Sequence, residues 1–139
     1  MTDQPNCKQR VTRELRGRIK DIRKLWKMNC EDPEKYDEDL GNFNEYGLAF
    51  DYVPPGTFTE KQKRGYFRYQ LSWGGPSDEF RFFTNPDFSL YRIEYWFMDW
   101  FDGARRILKG RDCELMAEIF EDFKDCETVE HVYREATED

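Results

Sequence analysis

The sequence predicts an α+β fold: an N-terminal helix, a four-stranded, mostly antiparallel sheet containing a β-meander, and C-terminal helices packed on one sheet face. Three observations carry this expectation. Between Gly65 and Phe101, apolar and polar side chains alternate with period two in segments separated by turn residues, the pattern of consecutive half-buried strands. On either side of that stretch, apolar residues recur at three- and four-residue spacing, as in amphipathic helices. Aromatic residues make up 17% of the chain against a hydrophobic total of 38%, so buried rings must supply much of the driving force for folding. At 139 residues the chain is expected to form a single domain, residues 1–139, around one core.

Met1 to Gln9 is polar, and this segment is expected to be frayed. From Val11 onward, Val11, Leu15, Ile19, Ile22 and Trp26 share one helix face, widened by Leu25. Arg13, Arg16, Lys20, Lys24 and Lys27 line the opposite face, with Arg23 beside them. Pro33 sets the limit of this helix, because the residue before a proline disfavours the helical region. Glu31 to Leu40 reads as an acidic connection. Tyr46, Leu48, Phe50 and Tyr52 then alternate as a first strand, stopped by Pro54-Pro55-Gly56.

The meander follows. Phe67, Tyr69, Leu71 and Trp73 fall on one face of its first strand, with Arg68, Gln70 and Ser72 on the other. Gly74 to Ser77 and Asn85-Pro86-Asp87 supply the turns. In its third strand Tyr91, Ile93, Tyr95 and Phe97 lie opposite Arg92 and Glu94. Tyr66, Phe83, Trp96, Met98 and Trp100 break the main parity, which implies rings on the second sheet face as well. Asp102-Gly103 reads as a turn, and Ala104 to Lys109 fits either a strand or a helical turn. From Asp112 a helix points Met116, Ile119, Phe120 and Phe123 inward. Thr128 fits as the cap of a third, short helix burying Val129, Val132, Tyr133 and Ala136.

Charge is segregated along the chain. The net charge is −7, yet residues 1–30 carry nine Lys/Arg against three acids, and residues 111–139 carry eleven acids against three bases. The overall acidity argues against direct nucleic-acid binding, since phosphates would be repelled over most of the surface. No apolar run reaches membrane-spanning length, and no apolar leader is visible at the N-terminus, so a cytoplasmic protein with no membrane contact is expected. In that setting Cys7, Cys30, Cys113 and Cys126, which form no Cys-x-x-Cys pair, are expected as free thiols rather than as zinc ligands with His131.

No nucleophile elbow or Cys/His neighbourhood is present, His131 sits alone in an acidic helix, and no cofactor is implied. Glu94, Asp99 and Asp102 could bind magnesium or calcium in a metal-dependent enzyme, but Glu94 and Asp99 have opposite strand parity and should diverge. The sharper pattern is Glu114, Glu118, Glu121 and Asp125, four carboxylates on one helical stripe. Such a stripe can imitate the phosphate array of a nucleic acid. The expectation is therefore a non-enzymatic acidic interaction module that binds and blocks a larger basic, nucleic-acid-handling protein. Anti-CRISPR, anti-restriction and immunity proteins of phages and mobile elements share this design, an analogy from charge and size. Asp37, Glu38 and Asp39 would form a second acidic site, with Trp96 and Trp100 as aromatic anchors. A structural homodimer, pairing the oppositely charged helices between subunits, is the remaining alternative.

Overall fold

Alternating rings and polar side chains build an antiparallel sheet of five strands in the order β1-β2-β3-β4-β5. The strands are β1 (Ala49–Val53), β2 (Tyr66–Ser72), β3 (Ser77–Thr84), β4 (Leu90–Asp99) and β5 (Asp102–Ile107). The computed structural model describes residues 6–99 and 101–138. One strand more is present than the four expected. The segment that fitted strand or helical turn is an edge strand, paired with β4 from Glu94↔Ile107 to Asp99↔Asp102. Its two faces carry Ala104 and Arg106 against Arg105 and Ile107, so neither is uniformly apolar and the period-two signal fades. Asp102 and Gly103, expected as a turn, lie inside this strand.

Among the described residues four helices accompany the sheet: α1 (Cys7–Glu31), α2 (Phe43–Tyr46), α3 (Gly110–Asp125) and α4 (Thr128–Thr137). The helix α1 starts earlier than its apolar stripe, because Asn6 and Gln9 form a reciprocal capping box. Cys7 to Gln9, expected to be frayed, are therefore helical. The first strand is shorter than expected at its start. Asn42 accepts a hydrogen bond from the Glu45 N–H at 2.9 Å, and this turn of helix takes Tyr46 out of the strand. Thr128 is the first residue of α4 rather than its cap, and the capping position is held by Glu127 in the left-handed region at φ 64°.

One sheet face, made by Phe67, Tyr69, Phe80, Phe82, Ile93, Tyr95 and Phe97, forms the core with the apolar sides of α1, α3 and α4. The Phe120 ring of α3 stacks on Phe82 at 5.0 Å and meets Phe67 edge-on at 5.6 Å. A polar clamp fixes α1 to the same face. Arg18 grips Asp78 bidentately at 2.7 and 2.9 Å, the Tyr95 hydroxyl donates to Asp78 at 2.6 Å, and Ser72 donates to its other oxygen. Burial and that bond to Asp78 push the Tyr95 phenol far above its ordinary range.

Two parity expectations fail locally. Trp73 lies beyond the end of β2 and is 78% exposed rather than inward with Leu71. A register shift between Phe83 and Thr84 leaves Tyr91 outside the ladder and exposed, its ring 6.4 Å from Phe83.

The second face carries an arginine–aromatic lattice instead of a helix layer. The ladder sets Arg68, Arg81 and Glu94 in one cross-strand row, and Glu79, Trp96 and Arg105 in the next. Arg81 stacks on Trp96 at 3.9 Å and on Tyr66 at 4.6 Å, while pairing with Glu79 at 2.7 Å. These stacked guanidinium groups cover Tyr66 and Trp96, two of the rings that parity had placed on this side.

Candidate functional site

The helix α3 is set in place by what precedes it. Leu108 is buried and donates its N–H to the Ile93 carbonyl at 2.9 Å, and Gly110, at φ +60°, turns the chain into the helix. Leu115, Met116, Ile119 and Phe120 then lock one side of the helix into the core. The 3.6-residue repeat leaves Glu114, Glu118, Glu121 and Asp125 exposed on the other side, as the sequence pattern required.

Whether α1 neutralises this stripe is the decisive question, and the ion pairs answer it. Across the α1–α3 junction Arg23 reaches Asp112 at 3.2 Å, not a member of the stripe. Among the described residues Glu114 and Asp125 have no ion pair, and Glu121 meets only Lys124 of its own helix, at 3.5 Å. Glu118 is the exception to free display: its carboxylate accepts the Trp26 indole N–H at 3.1 Å and so ties α3 to α1.

The second acidic site is smaller than expected. Asp37 pairs with Lys24 at 2.5 Å and accepts the N–H groups of Asp39 and Leu40 at 3.0 Å. The Lys24 contact and these backbone bonds hold its carboxyl below the usual range. Asp37 thus closes its own loop, leaving Glu38 and Asp39 exposed.

The aromatic anchors also need revision. Trp96 is half-buried in the lattice, held between Arg81 and Arg105, and its indole donates to Glu94 at 2.9 Å. It is not a protruding ring. Trp100 lies outside the described residues. Trp73 and Phe101, in the β2–β3 and β4–β5 turns at one end of the sheet, are the most exposed rings among the described residues, ahead of Tyr36 and Phe58. Trp73 was missed because parity continues past a strand end that only the turn defines.

Glu94, Asp99 and Asp102 do not converge. Asp99 and Asp102 face each other across the ladder, but Arg10 pairs with Asp99 at 2.7 Å and the Cys7 N–H donates to Asp102 at 2.7 Å. That bond, at the start of α1, holds the Asp102 carboxyl below its usual range. Glu94 points to the second sheet face, where Arg92 at 2.6 Å and Arg105 at 3.2 Å engage it. Among the described residues no three His, Cys, Asp or Glu side chains come together as a metal-ligand group. All four cysteines are free thiols, and His131 is exposed beside Glu135 at 2.8 Å.

Likeness adds nothing to this geometry. No protein-family model matches the chain, and neither a curated protein nor a solved structure does. No helix among the described residues is long and apolar enough to cross a membrane.

Proposed function

We propose that this protein is a non-enzymatic acidic interaction module that docks on a larger basic protein through the carboxylates of α3. One observation carries the reading. Glu114, Glu121 and Asp125 stand exposed on a helix anchored in the core, while Arg23, the α1 cation that lines the hollow beside Glu114 and Glu121, is engaged by Asp112 instead. A stripe displayed from a rigid element loses little freedom on binding, so its charges act preorganised.

Magnitudes divide the work between charge and rings. An exposed ion pair contributes ~0.2–1 kcal/mol, so the stripe supplies steering and selection by sign more than affinity. Short-range affinity falls to exposed rings, and Trp73 and Phe101 are suited to it. The C-terminal half of α3 reaches the β1 edge of the sheet, where Phe123 packs on Phe50 at 4.8 Å. The partner class that fits is a protein with a lysine- and arginine-lined channel for nucleic acid. The module would occupy that channel in the manner of an anti-CRISPR, anti-restriction or immunity protein, a comparison resting on charge and size.

Capture from native extract at about 50 mM and about 0.5 M salt tests this, using wild type and the Glu114→Lys/Glu121→Lys/Asp125→Lys variant. The expected result is a basic protein retained by wild type at low salt, released at high salt and lost with the variant. Equal retention by both would rule out docking through α3.

A further inference from the structure

The exposed basic side of α1 and the acidic side of α3 border a furrow made of two adjacent hollows. One, of about 760 Å³, is lined by Arg23, Arg111, Glu114, Leu115 and Glu118, and the other, of about 480 Å³, by Arg16, Ile19, Lys20 and Lys27. Arg23 lines both, and its pair with Asp112 stands at their boundary. Contacts advance together along the two helices, Arg23 with Asp112 and then Trp26 with Glu118, so the walls run the same way. Among the described residues Arg16, Lys20 and Lys27 make no ion pair, and neither does Glu114.

A ligand of one sign that fills the furrow satisfies one wall and offends the other. A polyanion there lies against Glu114, Glu118 and Glu121 and a polycation against Lys20 and Lys27, so a basic partner meets the α3 stripe from its outer side, where Asp125 stands outside both hollows. Only a body carrying both signs side by side satisfies both walls, and a second copy of this chain carries them in that arrangement. We propose that, when no other partner is bound, this furrow is covered by a second copy, forming a twofold dimer. The inference rests on the reading of the α3 carboxylates as a docking surface and names their occupant in isolation. The symmetry axis is fixed by the same charges. An axis along the furrow lays each basic wall on the partner's acidic wall twice, whereas an axis across it would lay like on like.

The dimer is weak by construction. Arg16 to Lys27 spans about 17 Å of helix, so two such walls bury less than the ~1,200 Å² of a standard interface. Its affinity therefore depends on charge and falls as salt screens it.

Sedimentation equilibrium of the whole protein at about 50 mM and about 0.5 M salt tests this, with two charge-reversed variants. One is Arg16→Glu/Lys20→Glu/Lys27→Glu, and the other is Glu114→Lys/Glu121→Lys. Arg23 and Glu118 are left intact because they hold α1 to α3. Wild type is expected to dimerise at low salt, with a dissociation constant about tenfold weaker at high salt. Each variant alone is expected to be monomeric, since its two walls repel their copies. An equimolar mixture of the two is expected to form a one-to-one heterodimer, because reversal has made one molecule acidic on both walls and the other basic. That rescue also shows that both variants are folded.

A wild type monomeric at low salt overturns the proposal, as does a dimer indifferent to both reversals or a mixture that stays apart. Low-salt binding of a single-stranded DNA oligonucleotide that is lost with the α1 reversal would assign the basic wall to nucleic acid and overturn it as well. The two readings fail separately. A monomer that still captures a basic protein through α3 ends the dimer alone, and a rescued dimer with no α3-dependent capture ends the larger-partner function alone.

Discussion

Glu94 shows how a charged residue can be structural on a face that no helix covers. It is 2% exposed, yet it receives Arg92, Arg105 and the Trp96 indole. Removing it strands the partly buried Arg92 and the Trp96 indole, at a cost toward the lower end of the ~3–5 kcal/mol for a fully buried ion pair, because Arg105 stays in solvent. Chemical denaturation of Glu94→Ala should show a loss of about that size, and Arg105→Ala, at an exposed position, a smaller one. Strand parity placed Glu94 on the second face, but nothing in its neighbours marked it as buried. Its partners come from its own strand and from β5, and the pairing of β5 was not legible in the sequence. Asp78 carried a better signal, as a charge in line with Phe80 and Phe82 on the apolar parity of β3. Such a position calls for a buried partner, and Arg18 is that partner.

Buried tyrosines give a second prediction at the same scale. Burial, partly offset by Arg18, pushes the Tyr46 phenol up to about 12, and burial takes Tyr66 up to about 12 as well. Tyr69 and Tyr95 are raised further, chiefly by burial. Each is raised above the unfolded value near ~10. The stability these groups contribute is full below that pH and declines as the unfolded chain ionises first. Stability should fall from about pH 10 upward, through the values near 12. Ultraviolet titration of phenolate should show these rings ionising late, together with unfolding. Asp102 works in the opposite sense. Its lowered carboxyl contributes above the unfolded value near ~3.9 and loses that contribution as pH falls through the folded one. Thermal melts of Asp102→Asn should therefore depend less on pH below about 4 than those of wild type.

Elements were legible where one face alone decides them. The apolar stripes of α1 and α3 and the alternation in β2 fixed which side of each meets the core. Their ends were less legible, because ends depend on caps and turns: Asn6 with Gln9 extends α1, and Asn42 starts α2 inside an apparent strand. The α2–β1 junction shows how tight such an end can be. A Cβ on Gly47 would lie 2.3 Å from the Tyr69 ring, which is buried and cannot withdraw. Gly47→Ala should cost ~1–3 kcal/mol of overpacking, read as a lowered denaturation midpoint. A Gly17→Ala control should stabilise by up to ~1 kcal/mol, since that position is open and helical.

For the whole molecule, the segregation of charge was plain in the sequence, but its use was not. Composition cannot tell whether a basic N-terminal helix and an acidic C-terminal helix neutralise each other. The fold sets them side by side, and among the described residues only Arg23–Asp112 forms an ion pair across the furrow, leaving both walls charged. A molecule of net charge −7 thus presents a basic and an acidic surface next to each other, on a scaffold where Phe120 joins Phe67 edge-on and Phe82 by stacking. On the second sheet face Trp96, expected to anchor a partner, is instead covered by Arg81, which stacks on Tyr66 as well.

Carboxylate footprinting tests the central claim most directly: mass spectrometry would compare carbodiimide labelling of the free monomer, diluted below self-association, with that of its partner-bound form. Labelling should drop at Glu114, Glu121 and Asp125 on binding and stay unchanged at Glu38, Asp39 and Glu135. Bound protein in which the three α3 carboxylates remain as reactive as before, with protection elsewhere, would contradict docking through this helix.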